Sequence, residues 1–196
     1  GSAGFAVVTE TAAALFTDGR YTLQAASQVD TQTFDIVDSV VTDWVQWLAK
    51  KMPSGGVIGY DPWLHTGGAI EALRSDGKAR SLTLKPLSKN PVDVIWGKER
   101  PLPPCGAVIV QPLEFAGVSA ETKIANLQKS LKEDSQHAVV LTMPDSICWL
   151  FNIRGSDVAH NPVVLAFAVI PVVGKPELYI ESGKVSGEAK KHLAGL

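Results

Sequence analysis

The sequence predicts an α/β protein made of two related units. Strand-like and helix-like segments alternate along its 196 residues, a pattern that favours layered α/β architecture. Between Asn90 and Gly117 the chain packs in Pro91, Pro101, Pro103, Pro104 and Pro112 with little apolar periodicity, and beyond this linker-like stretch the pattern restarts. The third observation is an internal echo. Gly1-Ser2 leads to an apolar strand, a second strand and Thr17-Asp-Gly-Arg-Tyr21, much as Gly155-Ser156 leads to two strands and Glu181-Ser-Gly-Lys-Val185. The second copy is longer by an insert holding His160-Asn161-Pro162. The expected organisation is a first unit over 1–90, a proline-rich linker over 91–117 and a second unit over 118–196. If one fold is used twice, the first unit starts partway through it, short of roughly 35–60 upstream residues.

The elements follow in order. Phe5 to Thr9 and Ala13 to Thr17 read as an antiparallel hairpin turning at Glu10-Thr11, and Asp18-Gly19 ends the second strand. Arg20 to Ser27 is a short helix candidate, and Phe34 to Val37 a strand. Thr42 is the expected N-cap of a helix whose Trp44, Val45, Trp47 and Leu48 form an apolar face, stopped by Pro53 and Gly55-Gly56. Trp44 and Trp47 are expected in the core; with Trp63 they would otherwise make an exposed aromatic patch. Val57 to Tyr60 reads as a strand running into Asp61-Pro62, Gly68 to Ser75 as a helix ending at Asp76-Gly77, and Ala79 to Leu84 as a strand. After the linker, Ser119 caps a helix with Ile124, Leu127 and Leu131 at helical spacing. Ala138 to Thr142 is a strand, and Pro144-Asp145 opens a helix that breaks at Asn152 to Gly155. Strands over Val163 to Val173 and Glu177 to Ile180 join near Gly174-Lys175, and Lys184 to Lys191 reads as a solvated charge run.

Composition narrows the function. A net charge of −2, with acids and bases interspersed, offers no basic stripe for phosphates, so nucleic acid is excluded as a partner. The longest apolar stretch is too short to span a bilayer, which argues against a membrane partner. Two cysteines, Cys105 and Cys148, suit a reducing compartment better than a disulfide framework, so a cytoplasmic location is expected. His65, His137, His160 and His192 are isolated from one another and from metal-ligand spacings, and neither dinucleotide nor phosphate-loop glycine patterns occur.

The densest concentration of recognition chemistry runs from Cys148 to Val163, where Arg154, Asp157, His160 and Asn161 fall within eight residues at the end of a helix. Arg154 and Asp157 are close enough to satisfy each other as an exposed pair. His160 and Asn161 are candidates to line a substrate cleft, or else form an ordinary turn before Pro162. The second candidate cluster is Asp18, Arg20 and Tyr21. The planar fork of Arg20 suits a peptide carboxylate or carbonyl; alternatively Asp18 caps the following helix and Arg20 is held by a neighbouring carboxylate.

Gly1-Ser-Ala-Gly, Ala6-Val-Val-Thr, Thr17-Asp-Gly-Arg-Tyr21, Gln24-Ala-Ala, Gly59-Tyr-Asp-Pro62, Asn90-Pro-Val-Asp-Val-Ile-Trp96 and Trp149-Leu-Phe-Asn-Ile-Arg-Gly-Ser-Asp-Val-Ala-His-Asn-Pro162 recur in order and at compatible spacing. Together they resemble the non-catalytic front of the long, three-domain aminopeptidase P enzymes, relatives of creatinase and prolidase. The resemblance implies two creatinase N-terminal-like domains, each a mixed sheet with flanking helices, the first incomplete at its N-terminus. It also implies a missing C-terminal pita-bread domain carrying two divalent metal ions, expected to be manganese, that removes the first residue from peptides with proline second. On this resemblance the chain holds no catalytic residue, no metal and no cofactor, is inactive alone, and shapes the substrate cleft or a homodimer. Its expected partners are the catalytic domain and those peptides, and the substrate-proximal candidates are Asp18, Arg20, Tyr21, Arg154, His160 and Asn161. A stand-alone peptide-binding or dimerisation module is the alternative.

Overall fold

In the computed structural model, which describes residues 3–52, 55–78 and 81–196, the chain divides into two units, Gly1–Arg100 and Pro101–Leu196, each with its own apolar core. Gly1-Ser2, Pro53 and the start of the strand expected from Ala79 lie outside the described residues.

The first unit begins with β1 (Phe5–Val8) and β2 (Ala13–Thr17), an antiparallel hairpin with Phe5 opposite Phe16. Thr9 closes its turn, its Oγ1 accepting the Ala12 amide at 3.0 Å. After α1 (Thr22–Gln28), β3 (Phe34–Asp38) returns parallel to β2, so β2 is the central strand of a mixed sheet. Its Phe16 is fully buried, stacked on Phe5 at 5.0 Å and met edge-on by Trp47 at 6.1 Å. Burial of such a side chain contributes about 1.5–3 kcal/mol. Trp47 belongs to α2 (Trp44–Lys51), whose Val45, Trp47 and Leu48 face this core. The helix starts one residue later than expected: Asp43, not Thr42, is the N-cap, its Oδ1 accepting the amides of Val45 and Gln46 at 2.7 and 3.0 Å. A carboxylate outcompetes the Thr42 hydroxyl because it takes both orphan amides at the positive helix end. Trp63, by contrast, is 85% exposed and apart from the core cluster.

β4 (Gly56–Tyr60) and, beyond α3 (Gly67–Lys78), β5 (Leu82–Pro86) pair in parallel. α3 passes through Asp76-Gly77 instead of ending there, since a single glycine costs a helix only about 1 kcal/mol. The stretch expected as a linker carries structure. α4 (Pro91–Trp96), capped by Asn90 Oδ1 on the Val92 amide, belongs to the first unit, while residues from Pro101 onward belong to the second.

In the second unit β6 (Ile109–Val110) and α5 (Leu113–Ala116) precede α6 (Ala120–Glu133), capped as expected by Ser119. β7 (Ala138–Leu141) leads to α7 (Pro144–Phe151), which ends where Asn152 turns left-handed at φ 51°. β8 (Ile153–Arg154) then pairs antiparallel with β6. β9 (Phe167–Pro171) lies between β7 and β10 (Glu177–Tyr179), antiparallel to both. The strand expected from Val163 starts four residues late. Val163, Val164 and Ala166 are buried, but side chains take the backbone amides there: Cys148 Sγ accepts from Val164 and Asp157 Oδ2 from Leu165. The supposed solvated tail is a 3-10 turn at Ser182–Lys184 followed by α8 (Gly187–Ala194), with Lys184 and Ala189 buried.

Candidate functional site

The first candidate cluster sits where β2 ends. Thr17 is buried and its hydroxyl donates to the Ala3 carbonyl at 2.9 Å, and Gly19 and Arg20 in the following turn are exposed. There Arg20 donates through Nε to Asp18 Oδ1 (2.9 Å) and through Nη2 to Oδ2 (2.6 Å), a forked pair, and its own amide reaches Oδ1 at 3.0 Å. Hydrogen bonds from Arg20 hold the Asp18 carboxyl below its ordinary range, and Asp18 raises the guanidinium in turn. Asp18 therefore binds its near neighbour and does not cap α1, whose N-cap residue is Tyr21 with no side-chain capping hydrogen bond. The Arg20 guanidinium lies 5.4 Å from the centre of the Tyr21 ring, and its side chain is 67% exposed. All three candidates are thus adjacent, with the outer guanidinium edge open to a further acceptor.

The second cluster is taken apart by the structure. Arg154 and Asp157 do not pair. Arg154 Nη1 donates to the carbonyls of Cys148 (3.2 Å) and Ile153 (2.8 Å), placing its charge at the C-terminal end of α7, where the helix dipole favours a cation. Asp157 is instead buried, with Oδ2 2.7 Å from Lys184 Nζ and from the Leu165 amide, and Oδ1 3.0 Å from the Gly106 amide. Burial alone would raise this carboxyl, but the Lys184 ammonium and the two amides outweigh it and hold it below its ordinary value. Gly106 sits close against this loop: a Cβ there would fall 2.5 Å from Ser156 Oγ and 3.3 Å from Asp157 Oδ1. The clamp joins three segments, because the Val108 amide also donates to the Lys184 carbonyl at 2.9 Å. His160 and Asn161 stand at the tip of the remaining loop, both exposed, in a turn closed by the Asn161 amide on the Val158 carbonyl. His160 holds a left-handed φ of 60°.

Two buried cations were not anticipated as such. Lys184 could have been found from the echo, since it occupies in Glu181-Ser-Gly-Lys-Val185 the place that Arg20 holds in Thr17-Asp-Gly-Arg-Tyr21. Lys123 carries no signal at all. Its Nζ reaches out of α6 to the Trp149 carbonyl (2.9 Å), Asn152 Oδ1 (2.7 Å) and the Trp149 ring (4.2 Å), while burial lowers its pKa. Asn152 Nδ2 in turn donates to the Val118 carbonyl, so this network sews α6 to the end of α7. These arrangements hold loops in place; of the candidate residues, Arg20, His160 and Asn161 are exposed.

Among the described residues, no group of three or more His, Cys, Asp or Glu side chains is placed to hold a metal ion, so a metal pair does not fit them. No helix among them is long and apolar enough to cross a membrane.

Residues 1–93 and 99–196 each match the creatinase/prolidase N-terminal domain. A probable Xaa-Pro aminopeptidase P of Paracoccidioides lutzii is 43% identical over 98% of this chain, and one of Neosartorya fischeri is 43% identical over 98%. The chain spans about a third of the length of these curated relatives, 32% and 30%. A crystal structure of X-prolyl aminopeptidase from Caenorhabditis elegans, described as a cytosolic enzyme with a di-nuclear active site, aligns over 98% of this chain and 31% of its own. Its TM-score is 0.89 at 31% identity. With a match in each half, the chain belongs to the creatinase/prolidase N-terminal domain family.

Proposed function

We propose that this chain is the non-catalytic front of a metal-dependent Xaa-Pro aminopeptidase, an enzyme that removes the first residue from peptides with proline second. One observation carries the reading: likeness to Xaa-Pro aminopeptidases runs over nearly the whole chain yet takes up only about a third of those proteins. The described residues offer no metal-holding group, so the hydrolytic chemistry belongs to the remainder of the parent, where two divalent ions, manganese in our proposal, would activate water. The parent is cytoplasmic in this reading.

The two domains then act on access and positioning. They wall one side of the cleft, admit extended peptide ends and exclude folded ones, and contribute to a homodimer. Arg20 offers its free guanidinium edge, beside Asp18 and Tyr21, to a peptide carboxylate or carbonyl. His160 and Asn161 project from their exposed turn as hydrogen-bonding groups toward substrate, while Arg154 supports that loop from its base. The test is release of the first residue from an Xaa-Pro peptide with manganese supplied. The parent should turn over and the 196-residue chain should not. Turnover by the chain itself, or a reading frame that stops at Leu196, would sink the proposal.

A further inference from the structure

In the first unit the parallel pair β4–β5 ends at an open cleft of about 640 Å³. Tyr60 lies opposite Pro86 in the register, so the loops over 61–63 and 87–90 leave the carboxyl ends of the two strands side by side. Crevices outside the carboxyl ends of parallel strands are where α/β sheets take small ligands. The two loops are tied into a fixed rim. Asp61 Oδ1 accepts the Trp63 amide and Oδ2 accepts Asn90 Nδ2, both at 2.8 Å, while Asn90 Oδ1 accepts the Val92 amide at the start of α4. The Leu87 amide donates to the Tyr60 carbonyl at 2.9 Å. On this rim the Trp63 indole, the Ser88 hydroxyl and the Lys89 ammonium have no partner among the described residues, and all three residues are exposed. An indole held in water by a fixed turn presents a flat apolar wall with one N–H donor. Asp93, also in the cleft, has Arg100 as its charge partner, Nε to Oδ1 at 3.3 Å, with both side chains open to solvent.

Charge decides the kind of ligand. Lys89 and Arg100 against Asp61 and Asp93 leave the rim neutral overall, with groups of both signs around one cleft. A phosphate would bring two negative charges against two carboxylates, whereas a ligand carrying one charge of each sign finds a partner for both. We propose that the cleft binds a zwitterionic α-amino-acid ligand with an apolar side chain, as a free amino acid or a short peptide presents it. Lys89 and Ser88 take its carboxylate, Asp93 takes its ammonium, and the Trp63 face takes the side chain. The volume suits a ligand of this size. This site is separate from the turn that carries Arg20, and it stands whether or not the parent proposed above is an aminopeptidase.

The test is a titration of the isotope-labelled 196-residue chain with the dipeptide Ala-Phe and with free phenylalanine, following the indole N–H signals of its five tryptophans by NMR. Trp63→Phe identifies the signal of Trp63 by its loss. That signal should move saturably, with a dissociation constant on the order of 1 mM. Acetylating the ammonium of Ala-Phe, or amidating its carboxylate, should each weaken binding about tenfold, the lower end for a hydrogen bond to a charged group. Lys89→Met should bring Ala-Phe down to the affinity of its amide and leave the amide unchanged, and Asp93→Asn should do the same for the acetylated peptide. The modified peptides probe the unaltered protein, so the reading stays testable if a variant fails to fold. A Trp63 signal that stays still up to the solubility limit of both ligands would overturn the proposal. So would movement indifferent to both end modifications, or affinity unchanged by both substitutions. Phenylalanine binding as tightly as Ala-Phe would support the site with an amino acid as its occupant, and tighter binding of Ala-Phe would support it with a peptide.

Discussion

Replacing Lys184 by Met tests the reasoning about the second unit most sharply. The substitution keeps the buried alkyl chain but removes the ammonium 2.7 Å from Asp157, a carboxylate whose side chain is 0% exposed. Two amide donors remain, from Gly106 and Leu165, so the carboxylate is weakened in its support without being stripped of it. Breaking one partner of a buried pair costs about 3–5 kcal/mol, and the surviving amides place the expected loss near 3. For a unit of this size that is a fall in Tm of about 12–24 °C. The loss should depend on pH. In the native protein Asp157 is held below the ordinary aspartate value of 3.8, so its contribution is present above about pH 4 and is lost as pH falls through the lower folded value. Without Lys184, burial dominates and raises the carboxyl, so the variant weakens as pH climbs from about 4. The gap between the two proteins, followed by urea unfolding with circular dichroism, should therefore be wide at pH 7 and narrow at pH 3. The double variant Asp157→Asn with Lys184→Met should recover part of the loss. A single-variant cost below about 0.5 kcal/mol at pH 7, the range of an ordinary surface change, would refute the account.

Three further expectations follow from other sites. Arg20→Ala should leave the melting temperature of the parent unchanged, because its bond to Asp18 lies on an exposed turn, while lowering kcat/KM for Xaa-Pro peptides; a drop in Tm with normal kinetics would assign Arg20 a structural role instead. Asp43→Ala should cost about 1 kcal/mol in unfolding experiments and Thr42→Ala close to nothing, whereas the reverse order would contradict the observed cap. Burial raises the Cys148 thiol and Cys105 is exposed, so a disulfide thiol reagent should titrate one cysteine in the native chain at pH 8 and two in urea.

Local signals carried much of the architecture. The β1–β2 hairpin, α6 with its Ser119 cap and the end of α7 near Asn152 rest on turn chemistry, capping and helical spacing within a few residues, and all three lie where the sequence predicts. The proline-rich stretch over 91–117 carries short helices, because proline density is shared by connectors and by helix starts. Pro91 occupies the first turn of α4, where its missing N–H costs nothing. The expected Arg154–Asp157 pair does not form, for a related reason. Arg154 and Asp157 are three residues apart in sequence, but the partner of Asp157 comes from 27 residues away and that of Lys123 from 29. No periodicity or spacing rule encodes such pairings.

By itself the sequence determined the family, the α/β class and the order of most elements, because these depend on short-range patterns and on motifs that persist as ordered strings. Only the tertiary structure decided which charges are buried. A lysine in a run of solvent-loving residues became the counter-ion of a buried carboxylate because β10 and the turn after it fold back beside Asp157, and burial raises the cost of leaving either charge alone. It likewise decided that Arg20, at the matching place in the first unit, stays in water, its guanidinium paired with the half-buried Asp18 two residues away.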